Sequence, residues 1–109
     1  MTISTHRKKS TKNPKEKTVE QHLYDRVKEQ GGVCIKLEPG KNPSVPKGFP
    51  DRLVILRGAS LVETKRPKGG YLSSVQVTWK KIINEEDCDY YVLSTKQEVD
   101  KFIKERLAL

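Results

Sequence analysis

The sequence predicts one α/β domain in which helices flank a central sheet. Three observations support this fold class. Three segments carry apolar residues at helical spacing, four short apolar runs have the length of strands, and the segments follow the order αβββαβα. With 109 residues, of which 34% are hydrophobic, the chain can build one modest core.

The first predicted helix covers residues 18–30 and is followed by a strand at 33–37. Thr18 can cap this helix, with Gln21 three residues further on, and a pair of glycines ends it. Its buried stripe recurs every four residues: Val19, Leu23 and Val27. A proline-rich loop at 38–50 comes next. A loop of that length in a small domain is usually functional or mobile.

Two further strands are predicted at 51–57 and 61–66. The run "LVIL" in the first of them is apolar at every position, which indicates a strand covered on both faces. The remaining elements are a helix at 73–86, a strand at 89–94 and a last helix at 95–107. The last helix opens with Thr95 and Glu98, the pair expected of a capping box.

The charge of the chain indicates an anionic partner. Lysine and arginine total 22 against 14 acidic residues, a net charge of +8, and nucleic acid is the commonest partner of such a surface. Binding to a ribosome or to a membrane surface would also account for this positive charge. Residues 1–17 hold six of the cations and almost nothing apolar, so we expect a disordered basic arm ahead of a domain at 18–109. The arm either contacts phosphates or is a solvated tail.

Membrane, secretion and zinc signals are missing from the sequence. No apolar run reaches the roughly 18 residues of a spanning helix, and the basic N-terminus lacks the apolar stretch of a secretion signal. The cysteines, Cys34 and Cys88, have no paired spacing, and the histidines are His6 and His22. We therefore expect reduced thiols in an intracellular protein, and any metal should be a hard cation held by oxygen.

The stretch "GFPDRLVILRGASLVETKRP", residues 48–67, places charges in the predicted central sheet. Side chains alternate across a strand, so Glu63 and Lys65 point to one face. Asp51 joins that face if the turn between the two strands has an odd number of residues. A three-residue turn at 58–60 would give the pairs Arg57–Leu61, Ile55–Glu63 and Leu53–Lys65.

Two explanations fit these charges. Glu63 and Lys65 could pair at a solvated sheet edge. Alternatively, Asp51 and Glu63 bind a divalent metal together with the Thr64 carbonyl. Lys65 would then lie beside the metal, where it could orient or deprotonate a water and offset charge on a phosphate. A cation within a basic surface suggests phosphodiester hydrolysis.

These residues resemble a known signature. A Pro-Asp pair at 50–51, followed twelve residues later by Glu-Thr-Lys at 63–65, resembles that of the PD-(D/E)XK nuclease superfamily. The sequences "GFPDRLVI" and "LVETKRPKGG", followed by Ser73 and Gln76, are similar to its VRR-NUC (virus-type replication-repair nuclease) branch over most of residues 18–95. The resemblance implies a restriction-endonuclease-like αβββαβ core with a mixed four-stranded sheet, plus a C-terminal helix. It also implies Mg²⁺- or Mn²⁺-dependent cleavage of branched or flapped DNA.

The resemblance assigns roles to five residues. Asp51 and Glu63 would bind the metal and Lys65 would be catalytic. Glu20 matches the helical acid of the family, which reaches the metal directly or through water, and Gln76 matches its motif glutamine. Each of the last two also has a simpler explanation. Glu20 lies in the first turn of its predicted helix, where the dipole favours an acid, and Gln76 is placed to complete a capping box.

Several residues are candidates for contacts with DNA or with a second copy. The basic candidates for phosphate contacts are Arg52, Arg57, Arg66, Lys68, Lys80 and Lys81. Tyr71 or Phe49 could stack on an unpaired base. We expect a two-fold homodimer, because resolving a four-way junction needs two cuts and one chain has one site. The apolar candidates for that contact are Val45, Phe49, Phe102 and Leu107.

The expected function is that of a structure-selective DNA endonuclease, a short stand-alone enzyme inside a phage-infected or bacterial cell. Two alternatives stay open. A non-catalytic nucleic-acid-binding module could retain the nuclease fold, although it would have no need of acids that repel phosphate. A sequence-specific restriction-type endonuclease would require a base-reading region for which this chain has no room.

Overall fold

A computed structural model describes residues 14–109, with side chains from residue 18 onward. Within this part of the chain, three helices and four strands follow the predicted order αβββαβα. They are α1 (Pro14–Glu29), β1 (Val33–Lys36), β2 (Arg52–Ile55), β3 (Ala59–Thr64), α2 (Ser74–Glu85), β4 (Tyr90–Leu93) and α3 (Lys96–Leu107). None of the helices in the described residues is long and apolar enough to cross a membrane.

Helix α1 begins earlier than the sequence pattern indicates. Its first residue is Pro14, so residues 14–17 of the predicted arm are helical and Thr18 lies inside the helix instead of capping it. Proline suits a first helical turn because its φ angle is already helical and its missing N–H would have no partner there. Residues 1–13 of the predicted arm lie outside the described residues.

The four strands form one mixed sheet in the order β1-β2-β3-β4. The first three strands are antiparallel, and β4 runs parallel to β3 after the crossover through α2. One face of the sheet packs on α1 and α3 and forms the core. The core residues are Val19, Leu23, Val27, Val54, Leu56, Val62, Leu93, Val99, Phe102 and Ile103. Helix α2 lies on the other face, so helices flank both sides as the sequence predicts.

The turn between β2 and β3 has the predicted length but not the predicted position. It consists of Leu56, Arg57 and Gly58, closed by a 2.8 Å hydrogen bond from the Leu56 N–H to the Gly58 carbonyl. The expected pairs were wrong, and the observed ones are Arg52–Val62, Leu53–Leu61, Val54–Ser60 and Ile55–Ala59. Gly58, at φ +100°, ends the turn instead of starting it. The turn still has an odd number of residues. If the pairing is extended by one residue beyond Arg52–Val62, Asp51 lies opposite Glu63.

A buried arginine of α3 holds this turn. Arg106 donates from Nε to the Leu56 carbonyl at 3.1 Å and from Nη2 to the Arg57 carbonyl at 2.7 Å. Its Nη1 lies 2.6 Å from Asp89 Oδ2, just before β4. The guanidinium therefore ties the hairpin turn, the start of β4 and α3 together. Only three-dimensional packing brings these groups close, so no local sequence pattern reports the contact.

The apolar surface differs from expectation. Phe102 is only 1% exposed and belongs to the core, so it does not offer a contact to a second copy. The "LVIL" strand is not covered on both faces, since Leu53 is half-buried and Ile55 is 41% exposed. Ile55 lies directly beside Val33, with Ile35 two residues further along β1, and all three are exposed. These three side chains, named here the β1–β2 patch, leave part of the sheet face uncovered by α2.

Candidate active site

Three of the predicted site residues form one hydrogen-bonded group on the α2 side of the sheet. Glu63, at the end of β3, is only 5% exposed. Gln76 of α2 donates from Nε2 to Glu63 Oε2 at 3.0 Å. Lys65 Nζ donates to Gln76 Oε1 at 3.0 Å and lies 3.4 Å from Glu63 Oε2. The amide of Gln76 therefore holds an acid and an amine together, and Glu63 and Lys65 do not simply pair at a solvated edge.

The same glutamine also caps α2. Ser73 Oγ accepts a hydrogen bond from the Gln76 N–H at 3.2 Å, and Gln76 Oε1 accepts one from the Ser73 N–H at 2.8 Å. The side chain of Gln76 therefore has both of the roles considered for it. It completes the capping box, and its amide contacts Glu63 and Lys65. The start of α2 is thereby fixed relative to the end of β3.

Asp51 directly precedes β2, and its carboxylate accepts two hydrogen bonds from Thr64 at the end of β3. The Thr64 N–H donates to Asp51 Oδ1 at 3.2 Å, and Thr64 Oγ1 donates to Oδ2 at 2.9 Å. Burial raises the pKa of the Asp51 carboxyl above its ordinary value, although the Arg52 charge and the Thr64 hydrogen bonds oppose the shift. The N–H and C=O of one strand residue point to the same side. The Thr64 carbonyl is therefore directed toward the Asp51 side of β3.

Glu20 and Arg52 meet on the α1 side of this site. Arg52 Nη2 lies 3.2 Å from Glu20 Oε1, and Arg52 is only 7% exposed. Arg52 thus differs from the other basic candidates for phosphate contacts, because its guanidinium is buried between the carboxylates of Glu20 and Asp51. Among the described residues, no three Asp, Glu, His or Cys side chains come together as a metal-binding group. Glu20 therefore does not complete a three-residue group with Asp51 and Glu63, although its charge is close enough to help raise the pKa of Asp51.

Two close packing contacts position the segments around the site. A Cβ atom on Gly48 would lie within 2.9 Å of the Val75 Cβ, so only glycine lets the end of the 38–50 loop approach α2. The ring of Phe49 packs edge-on against Trp79, with centroids 5.3 Å apart. Phe49 thus already has an aromatic partner within the protein, which leaves Tyr71, 83% exposed, as the more accessible of the two candidates for base stacking.

The other basic candidates are exposed, but they are not equivalent. Arg57 lies in the β2–β3 turn, at the opposite end of the hairpin from Asp51, and donates to the Leu109 carbonyl at 2.9 Å. It was therefore wrongly grouped with the site. Arg66 donates to the carbonyls of Lys68 and Gly69 at 2.8 and 3.3 Å, which orders the segment after Lys65. Lys68, Lys80 and Lys81 are exposed.

Sequence reasoning missed two features of the site. The first is the role of Arg52, which depends on a partner 32 positions earlier in the chain. The second is Tyr90, whose pKa rises to about 12 because it is half-buried and lies near the charges of Glu63 and Asp51. Tyr90 sits on β4, and no motif of the sequence singles it out. Tyr90 could have been identified only from the pairing of β4 with β3, which places it near Glu63.

Comparison with solved structures gives a related fold. A chain described as "VRR_NUC domain" superimposes with a TM-score of 0.72 at 26% sequence identity, covering 84% of this chain and 97% of that chain. No protein-family model matches the sequence, and no curated protein matches it. The similarity covers nearly the whole of the solved chain and most of this one.

Proposed function

This chain is a VRR-NUC domain, and from that premise we propose that it is a metal-dependent endonuclease that hydrolyses phosphodiester bonds in branched DNA. The fold is that of a nuclease domain. The observation that carries the proposal is the link from Glu63 through Gln76 to Lys65, with Asp51 opposite Glu63 in the register. A general acid–base or electrostatic group beside two buried acids is the arrangement that phosphodiester hydrolysis needs.

The donor set fits a hard divalent cation. The carboxylates of Asp51 and Glu63 and the carbonyl of Thr64 are oxygen donors, which Mg²⁺ and Mn²⁺ prefer over nitrogen or sulfur. Burial raises the pKa of Asp51, and the nearby charge of Glu20 raises it further, so a cation bound there would relieve both costs. Mg²⁺ or Mn²⁺ bound there would polarise a phosphoryl oxygen and lower the pKa of a water.

Lys65 and Gln76 supply the groups that act on the substrate. The hydrogen bond to Gln76 fixes the Lys65 amine in a half-buried position beside Glu63. The amine therefore has less conformational freedom than that of an exposed lysine. As an ammonium, Lys65 offsets the negative charge that builds on the phosphate; as a neutral amine, it accepts a proton from the attacking water. Either role requires the amine at one fixed place, which the Gln76 hydrogen bond supplies.

The non-catalytic alternative is less well supported. A module that only binds DNA gains nothing from Asp51 and Glu63, since buried acids cost stability and repel phosphate. The exposed cations that would bind the DNA backbone are Arg66, Lys68, Lys80 and Lys81. The free thiols Cys34 and Cys88 are compatible with the intracellular setting that belongs to this proposal.

Selectivity for branched DNA is assigned to Tyr71. Its side chain is 83% exposed, on the segment that joins Lys65 to Gln76, close to the site in sequence. That segment is ordered: a Cβ on Gly70 would lie 2.5 Å from the Arg66 carbonyl oxygen, so the chain folds tightly there. An exposed tyrosine ring on a tightly folded segment offers a stacking surface for a base that has lost its partner at a branch.

The proposal includes a two-fold dimer of this chain. Two symmetric cuts in a four-way junction need two sites, and a two-fold dimer supplies them. The β1–β2 patch is the best contact, because a chain with a net charge of +8 repels its own copy wherever cations face each other. Val33, Ile35 and Ile55 are uncharged and adjacent, and they lie on the sheet face that carries Glu63.

Incubation with a panel of DNAs tests the substrate preference. The panel contains linear duplex, flapped and four-way-branched DNA of equal length, each with and without Mg²⁺. We expect Mg²⁺-dependent cleavage of the branched forms in preference to the duplex. Tyr71→Ala should lower that preference, whereas Tyr71→Phe, which keeps the ring, should retain it. Binding without cleavage of any DNA would favour the non-catalytic module, and cleavage of linear duplex at one sequence would favour a restriction-type enzyme.

A further inference from the structure

Arg52 is the only guanidinium of the described residues that lies between two carboxylates of the candidate site. Its Nη1 donates to the Asp51 carbonyl at 3.1 Å and lies 3.7 Å from Asp51 Oδ2, and its Nη2 lies 3.2 Å from Glu20 Oε1. A buried guanidinium is costly unless its charge is matched. Glu20 provides that match, and the fork of Arg52 then reaches both the backbone and the side chain of Asp51.

The position of Arg52 differs from that of a substrate contact. At 7% exposure it cannot reach a DNA phosphate without leaving Glu20. Asp51 itself has two fixed hydrogen bonds from Thr64, one on each carboxylate oxygen. Each oxygen retains a lone pair for a cation, and Arg52 fixes the peptide from which the carboxylate projects. Groups that hold a metal ligand in this way commonly change metal affinity tenfold or more when they are altered.

We infer that Arg52 is a positioning residue for Asp51 and that Glu20 acts on the metal site through Arg52, without being a ligand itself. This inference rests on the proposed function, because it presumes that Asp51 binds a divalent cation. It reassigns Glu20, which the family resemblance offers as a direct or water-mediated ligand. Helix α1 thereby supports the site from the core side of the sheet, while Gln76 of α2 supports it from the other.

A double-mutant cycle on Mn²⁺ affinity tests the inference, measured by calorimetry on the full metal-free chain. Arg52→Lys keeps the positive charge but removes the planar guanidinium that contacts Asp51 and Glu20 together. Any effect of this change therefore reports the positioning of Asp51 and not the loss of a charge. We expect it to weaken Mn²⁺ binding by about tenfold. Glu20→Gln should weaken binding in the wild-type background and have little further effect in the Arg52→Lys background. At saturating Mn²⁺ the cleavage rate of Arg52→Lys should recover toward that of the wild type.

Each outcome has a distinct meaning. Arg52→Lys with unchanged Mn²⁺ affinity would overturn the positioning role, and an equal effect of Glu20→Gln in both backgrounds would make Glu20 a ligand in its own right. If Arg52→Lys fails to fold, Glu20→Asp serves instead: its shorter side chain breaks the contact with Arg52 while keeping the charge. Affinity should then fall, and an unchanged affinity would contradict the inference. A wild-type protein that binds no Mn²⁺ would refute the proposed function itself.

Discussion

Gln76 and Lys65 are joined by a 3.0 Å hydrogen bond from the lysine Nζ to the glutamine Oε1, across the gap between the end of β3 and α2. The same oxygen accepts the Ser73 N–H, so one atom serves both the helix cap and the candidate site. The position of the Lys65 amine consequently depends on where α2 begins. Helix capping and site geometry are one structural feature in this protein.

Ser73 and Gln76 allow those two roles to be separated. Ser73→Ala removes the N-cap oxygen but keeps the backbone N–H that bonds Gln76, and should cost about 1 kcal/mol of stability with cleavage close to wild type. Gln76→Ala should cost a similar stability and lower single-turnover cleavage by roughly tenfold or more, because Lys65 and Glu63 lose their link. Urea unfolding and cleavage at saturating Mg²⁺ measure the two effects. Equal loss of cleavage in both variants would mean that Gln76 acts only through the helix.

Asp51 should destabilise the metal-free protein at neutral pH. Its pKa is raised in the folded state, chiefly by burial, so its favourable contribution is complete below the ordinary aspartate value of about 3.9 and is lost as the pH rises through the folded pKa. Asp51→Asn should therefore raise the Tm without metal at pH 7, and the gain should disappear at low pH. Asp25→Asn, a change at an exposed carboxylate of α1, is the matched control.

Added metal should reverse the order of those two proteins. Mg²⁺ or Mn²⁺ should raise the Tm of the wild type and leave that of Asp51→Asn unchanged, since a ligand stabilises only the form that binds it. Thermal unfolding with increasing metal gives both results in one experiment. An equal shift in both proteins would place the bound cation elsewhere.

How much of this structure the sequence predicts depends on whether the signal is local. The order of elements follows from apolar spacing, and the caps of α2 and α3 follow from residues three positions apart: Ser73 Oγ accepts the Gln76 N–H, and Thr95 Oγ1 accepts the Glu98 N–H at 3.0 Å. The position of the β2–β3 turn was predicted two residues too late, because Gly58 suits either the start or the end of a turn. Its position is fixed by Arg106, a residue of a distant helix.

The candidate site shows the same division. Asp51, Glu63 and Lys65 were predicted together because strand alternation and an odd-numbered turn are enough to gather them. The contact of Glu20 with Arg52 was missed, since nothing local reports which arginine a helical acid will meet. The exposed β1–β2 patch was missed for a related reason: how far α2 covers the sheet depends on the packing of all the elements.

Arg106 should contribute more to stability than any exposed cation. Arg106→Met keeps most of the buried volume but removes the hydrogen bonds to the Leu56 and Arg57 carbonyls, and should lower the free energy of unfolding by about 2 kcal/mol. Arg57→Met removes an exposed arginine of the same turn and should change stability little. Urea unfolding compares the two. Equal stabilities would show that the turn does not depend on Arg106.

The β1–β2 patch and α2 offer a matched test of the dimer. Ile55 in the patch and Ile82 on α2 are both 41% exposed, so an aspartate at either position costs a similar amount within one chain. Ile55→Asp should give a monomer by light scattering at micromolar concentration and lose the symmetric second cut in a cruciform plasmid. Ile82→Asp should remain a dimer. A wild-type monomer, or a dimer that survives Ile55→Asp, would refute the assigned contact.

Metal-dependent cleavage of a four-way DNA junction by the wild type and by Lys65→Ala tests the proposed chemistry most directly, with junction affinity measured in parallel by fluorescence anisotropy. The wild type should cut only when Mg²⁺ or Mn²⁺ is present. Lys65→Ala should cut at least about a hundredfold more slowly and bind the junction nearly as well, because the amine acts on the reacting phosphate. A wild type inactive in both metals, or a Lys65→Ala variant that cuts at the wild-type rate, would contradict the proposed active site.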